Sequence, residues 1–210
     1  KEGDLRVAFF YCMDNEPVKT IFLIGSIGAG KSTALEFFQS KGAHTLSADS
    51  VVHHLYETDM ELIDSIAELL GSDVVHNGAI DRATLGAKLL MHPEQVQKLE
   101  LLVHPVVRQY VQRVIETSNA KVFVYELPIS RPSTDYSLAD AVILLNASTS
   151  ARLQRIQDRG FSLAEAQARL DLHPAPFVPS HLPLYEVQND GTKAELDSQL
   201  ASIWELIAHD

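Results

Sequence analysis

The chain has 210 residues, 46% of them hydrophobic, and a formal net charge of −11, which suits one sizeable α/β core with an insertion. The acidic balance argues against wholesale nucleic-acid binding, so a polyanionic ligand must be met by locally gathered Arg and Lys. No apolar run approaches the ~18 residues of a membrane helix, no signal segment is legible, and the single cysteine, Cys12, excludes an internal disulfide framework or a cysteine metal site, so a cytoplasmic protein with no membrane partner is expected.

Residues 1–18 read as an extension, with Met13 close to the functional start. Residues 20–24 are apolar and β-prone, and residues 31–40 have helical spacing with Leu35 and Phe38 on one face. Between them Gly25 to Ser32 fits G-x-x-x-x-G-K-[ST]. A glycine-rich loop between a strand end and a helix start aims backbone N–H groups and the positive end of the helix dipole at one point. The stretch Gly25, Ser26, Ile27, Gly28, Ala29, Gly30, Lys31, Ser32 and Thr33 is therefore the expected nucleoside-triphosphate site. Lys31, at a solvent-facing crevice, is expected to reach the β- and γ-phosphates, and the Ser32 hydroxyl to hold Mg²⁺.

Gly42 suits a helix end, and Ala43–Leu46 reads as a second strand leading to Asp49, with a helix from about Ser50. A carboxylate at that strand end, beside the loop, could accept the proton of an attacking hydroxyl and help hold Mg²⁺ through water. It could equally be the N-cap of the following helix. Residues 59–70 are helical in spacing and stop at Gly71. Turn residues Asn77-Gly78 follow, then Asp81 as an N-cap for a helix to Leu90, and Pro93 opens a long helix to about Thr117 that Pro105 could kink. With no strand signal there, residues 59–118 are expected to form a helical substrate domain inserted into a core made of 19–58 and 119–208.

Val122–Tyr125 is a strand ending on Glu126, an apolar-then-acid pattern that orients Mg²⁺ in P-loop enzymes but is common by itself. Ala141–Leu145 is another buried strand. Thr149 opens a helix whose Arg152, Arg155 and Arg159 share one face. That face reads either as a lid that stabilises charge on a transferring phosphoryl group or as a solvated basic surface. Ser162 to Glu165 is a capping box. Four prolines between 173 and 183 interrupt regular helix, leaving a lid over about 155–185, then a short strand at 187–189 and an amphipathic helix from Lys193. The nine histidines show no metal-ligand spacing. The fold class is thus α/β, a P-loop NTPase-type parallel sheet flanked by helices, with a helical insertion and a lid.

The ordered series of Gly25–Thr33, Ala48-Asp49 with His53 four residues on, Gly78–Arg82, Leu99-Glu100 with His104-Pro105, Glu126-Leu-Pro128, Arg155, Arg159, Arg169 and Asn189-Asp-Gly191 resembles the dephospho-CoA kinase family. The resemblance runs from about Lys19 to Trp204. It implies that ATP, with Mg²⁺, phosphorylates the ribose 3′-hydroxyl of dephospho-CoA. It makes Asp49 the general base, Arg155 the lid arginine near the phosphates and Asn189 a neighbour of the adenine. His53, Arg82, His104 and Glu126 would lie on the acceptor side. A monomer or small homo-oligomer is expected. The chain departs from the family pattern at Ser47, where Asp is usual. It departs again along Glu126–Arg131, where Asp and Pro-Leu-Leu-Phe-Glu are usual, and at His173 and Pro179, where Gln and Lys are usual. Another small P-loop kinase, or a nucleotide-binding module without turnover, are the competing readings.

Overall fold

The structure is a computed structural model and describes residues 18–173 and 175–209; residues 1–17 of the expected extension, with the Met13 start, lie outside the described residues. Its frame is a five-stranded sheet, ordered β2-β5-β1-β6-β7, in which every neighbouring pair is parallel. The strands are β1 (Lys19–Gly25), β2 (His44–Ser47), β5 (Val122–Glu126), β6 (Ala141–Asn146) and β7 (Leu184–Gln188). A parallel sheet is covered on both faces, so its central strands are apolar at successive positions. In β1, Ile21 and Leu23 face one core while Phe22 and Ile24 face the other.

The first face is covered by α1 (Lys31–Ser40) and α8 (Lys193–His209), through Ala34, Phe38, Leu196, Leu200, Ile203 and Ile207. On α1 the fully buried pair is Ala34 and Phe38, and Leu35 is only half-buried. The other face is covered by α2 (Ala48–Thr58), α3 (Met60–Leu70), α4 (Arg82–Met91) and α5 (Glu94–Glu116), whose apolar residues join the sheet in one continuous cluster. Asp59 and Asp81 cap α3 and α4 by accepting first-turn backbone N–H groups. Helix α5 runs through Pro105, which offers no N–H to the preceding turn.

Two expectations need correction here. Helix α2 starts at Ala48, not Ser50, and its N-cap is Ser47, whose Oγ accepts from Ser50 N at 3.2 Å. Asp49 is in the first helical turn and caps nothing. Second, the stretch between α3 and α4 does contain strands: β3 (Val75–His76) and β4 (Ala79–Ile80) pair antiparallel after a 3₁₀ turn at Ser72–Val74. Asn77 and Gly78 turn the hairpin with φ of 52° and 80°, the left-handed pair that a tight two-residue hairpin demands. Strands of two residues are too short to show alternation.

Helices α6 (Thr149–Asp158) and α7 (Leu163–Leu172) form a hairpin, the second opened by the Ser162–Glu165 capping box. Their small core of Ile156, Ala166 and Leu170 takes in Ile27 from the glycine-rich loop. Among the described residues no helix is long and apolar enough to cross a membrane.

Candidate active site

Pairing sets the site. Glu126 at the end of β5 lies in register with Ser47 of β2 and Leu23 of β1. The glycine-rich loop, the start of α2 and Glu126 therefore meet at the carboxyl edge of the sheet, where open α/β sheets bind ligands.

The loop is built for close backbone approach. A Cβ on Gly25 would stand 2.6 Å from Leu145 O, one on Gly28 2.9 Å from Arg152 O, and one on Gly30 would overlap the Asn189 amide nitrogen. Gly28 and Gly30 also hold φ of 77° and 104°, which side-chain-bearing residues rarely adopt. Behind the loop stands a buried brace. Asn189 Nδ2 donates to Ala29 O at 2.8 Å. Arg155 donates to Gly28 O at 3.2 Å, to Asn189 O at 2.8 Å and to Asn189 Oδ1 at 3.2 Å.

Both residues thus support the glycine-rich loop. Arg155 shares a helix face with Arg152 and Arg159, but its guanidinium is engaged by protein carbonyls and does not hang free as a lid finger. Asn189 is 6% exposed and uses both ends of its amide to hold the loop. Helical spacing reveals a shared face, not which cations the backbone has already claimed. Arg155→Ala is accordingly expected to loosen the loop. Losing these charge-assisted bonds should cost about 2 kcal/mol, a fall of roughly 4–8 °C in thermal midpoint for a chain of this size. KM for ATP should rise at least as much as kcat falls. A kcat-only effect in steady-state kinetics, with an unchanged midpoint, would return Arg155 to the lid role.

Lys31 is the charged centre. Its Nζ donates to Gly25 O at 2.9 Å and stands 3.8 Å from Glu126 Oε1, with the two side chains only 10% and 14% exposed. The expected solvent-facing crevice is thus closed over this lysine. Burial lowers the Lys31 pKa, against the opposing pull of Glu126 and Asp49, while the charge of Arg159 lowers it further. Burial raises the Glu126 pKa, and Lys31 resists that rise. The Asp49 carboxylate acts on Lys31, Glu126 and the Tyr125 hydroxyl alike. Asp49, Glu126, Lys31 and Arg159 therefore share one electrostatic neighbourhood, although Asp49 and Arg159 are exposed. Ser32, also exposed, stands in the first turn of α1.

The residues expected on the acceptor side are dispersed. His53 is exposed one turn after Asp49, with Nε2 3.4 Å from Glu57 Oε1. Arg82 opens α4 and places its charge near the Tyr56 hydroxyl. His104 is exposed on α5, and none of the contacts around Lys31 involves it. Among the described residues no group of three or more His, Cys, Asp or Glu gathers as a metal site. Mg²⁺ at phosphate sites is held by one or two protein oxygens together with the phosphates, and Ser32, Asp49 and Glu126 offer such a donor set.

His173, one of the departures from the family pattern, belongs to this neighbourhood. Burial, then the charge of Lys31, lowers its pKa. A histidine with a folded pKa below its unfolded value binds protons less well when folded, so its contribution to stability is present above about pH 6.5 and lost as pH falls through the folded value. His173→Gln should therefore flatten the midpoint-against-pH curve below about pH 6.5; an unchanged slope in thermal melts would refute this.

A family profile described as dephospho-CoA kinase matches residues 19–174. A dephospho-CoA kinase of Wolinella succinogenes is 30% identical over 197 residues, covering 90% of this chain and 95% of the relative. One from Protochlamydia amoebophila is 26% identical, covering 90% and 96%. Among solved structures, TT1252 from Thermus thermophilus aligns with a TM-score of 0.74 at 23% identity, covering 91% of this chain and 98% of that one. Dephospho-CoA kinase from Campylobacter jejuni aligns at 0.63 and 23%, covering 90% and 97%. These last two likenesses establish a shared fold.

Proposed function

Because the chain belongs to the dephospho-CoA kinase family, we propose that it transfers the γ-phosphoryl group of ATP to the ribose 3′-hydroxyl of dephospho-CoA, giving coenzyme A in the final step of its synthesis. The observation that carries this reading to particular residues is the convergence of Lys31, Asp49 and Glu126 at one sheet edge beside the glycine cradle.

Phosphoryl transfer asks the protein mainly for positioning and charge stabilisation. The backbone N–H groups from Ser26 to Thr33 cradle the polyphosphate at the start of α1. Lys31 leaves Gly25 O and donates to the β- and γ-phosphates. Asp49 accepts the proton of the attacking 3′-hydroxyl. Arg159, exposed at the C-cap of α6 and close enough to depress the Lys31 pKa, is the lid arginine best placed to meet developing charge. Ser32 would hold Mg²⁺, with Asp49 or Glu126 through water, and the ion when bound would supply charge that neutralises the polyphosphate. Helices α3–α5 with His53, Arg82 and His104 form the acceptor side, and Asn189 backs the loop near the adenine. The enzyme acts in the cytoplasm as a monomer or small homo-oligomer.

The test is ADP release with dephospho-CoA set beside nucleoside, nucleotide and sugar-acid acceptors. Turnover restricted to dephospho-CoA supports the assignment. Faster turnover on another acceptor replaces it with a different small-molecule kinase, and ATP binding without turnover on any acceptor makes the chain a nucleotide-binding module.

A further inference from the structure

Arg155 is occupied by carbonyl groups and Arg159 is exposed. Arg152, on the same helix, fits neither description. Its Nε is buried and has no hydrogen-bond partner, one of two such side-chain atoms among the described residues. Its Nη2 reaches only Thr149 Oγ1, at a marginal 3.5 Å. Asp190, a carboxylate that follows β7 and meets the N-cap of α6, is committed to Ser148 N at 2.6 Å and to the Gln188 side-chain amide. A guanidinium carries five N–H donors and can only donate. A buried donor with no acceptor is uncommon and asks for a missing partner.

The position of Arg152 says what that partner is. Its main chain forms the wall of the glycine-rich loop: a Cβ on Gly28 would stand 2.9 Å from Arg152 O and 3.1 Å from Arg152 Cα. The side chain therefore starts from the rim of an anion-binding concavity and ends in a cation with spare donors. We propose that Arg152 is a further donor-nucleotide residue, whose guanidinium turns out of its buried position when ATP binds and donates to the polyphosphate oxygens. A planar fork meeting phosphate oxygens is the geometry at which arginine excels. The inference rests on the ATP half of the proposed function and is independent of which acceptor is phosphorylated.

Calorimetric titrations of the full chain with Mg-ATP and with adenosine, in the absence of any acceptor, test it. Arg152→Gln should weaken ATP binding about tenfold and leave adenosine binding unchanged. Arg152→Lys should recover part of the loss, because the charge returns without the fork. Equal weakening for ATP and adenosine would mean a contact to the base, and no weakening for ATP would mean no contact; either overturns the proposal. The wild-type protein supplies a measurement free of folding effects. The ¹⁵Nε resonance of Arg152 should shift on adding ATP and stay in place on adding adenosine, and a resonance that ATP leaves unmoved also overturns it. Because no acceptor is present, these results stand or fall separately from the dephospho-CoA assay.

Discussion

Lys31→Ala is expected to lower kcat/KM by about 10³-fold, the upper range for removing one preorganised charge from a transition state, and to weaken ATP binding as well. In the proposed function the ammonium meets the β- and γ-phosphates; in the structure it is engaged by Gly25 O and Glu126. Stability should depend on pH in a way that identifies the mechanism. Without Lys31 nothing opposes the effect of burial on Glu126, so its folded pKa rises further above the unfolded value. A carboxyl shifted in that direction binds its proton more tightly when folded. Its contribution is fully present below the unfolded pKa of about 4.3 and is lost as pH rises through the folded value. Relative to its own value at acidic pH, the variant's thermal midpoint should therefore fall further than that of wild type as pH rises through the folded Glu126 value. Near-normal turnover would remove the basis of the nucleotide site.

Asp49→Asn should reduce kcat with dephospho-CoA by at least ~10²-fold, the usual effect of a positioned acid–base group, with little change in ATP affinity. The structure makes this substitution clean. Ser47, not Asp49, caps α2, and Asp49 is exposed, so the thermal midpoint should stay at the wild-type value. An active Asp49→Asn enzyme would leave transfer to positioning and metal alone and would end the general-base assignment.

Much of the architecture was legible because local physics dictated it. The strand before the glycine loop is apolar and buried from Ile21 to Ile24, Asp81 and Ser162 announce helix starts, and the G-x-x-x-x-G-K-[ST] spacing has one dominant use. The Asn77-Gly78 pair is a hairpin signal, but its two-residue strands are too short to alternate. What the sequence could not reveal is long-range satisfaction. Nothing local says that Arg155 and Asn189 are bound to the carbonyls of Gly28 and Ala29, that Lys31 is buried against Glu126, or that Arg152 lacks a partner. Each depends on which distant groups the sheet order brings together, and a helical face alone cannot rank its arginines.

The same brace bears on how the protein comes into being on the ribosome. Asn189 bonds Ala29 across 160 residues, and Arg155 bonds Gly28 across 127. The phosphate loop is made early in synthesis, yet its supports emerge near the end. Closing contacts so far apart in sequence is a late event. A nascent or C-terminally cut chain thus carries the complete phosphate-binding motif on an unsupported loop. Firm nucleotide binding is therefore expected only once Arg155 and Asn189 have emerged and docked on the loop, which C-terminal truncations ending before Asn189 would test by their loss of ATP affinity.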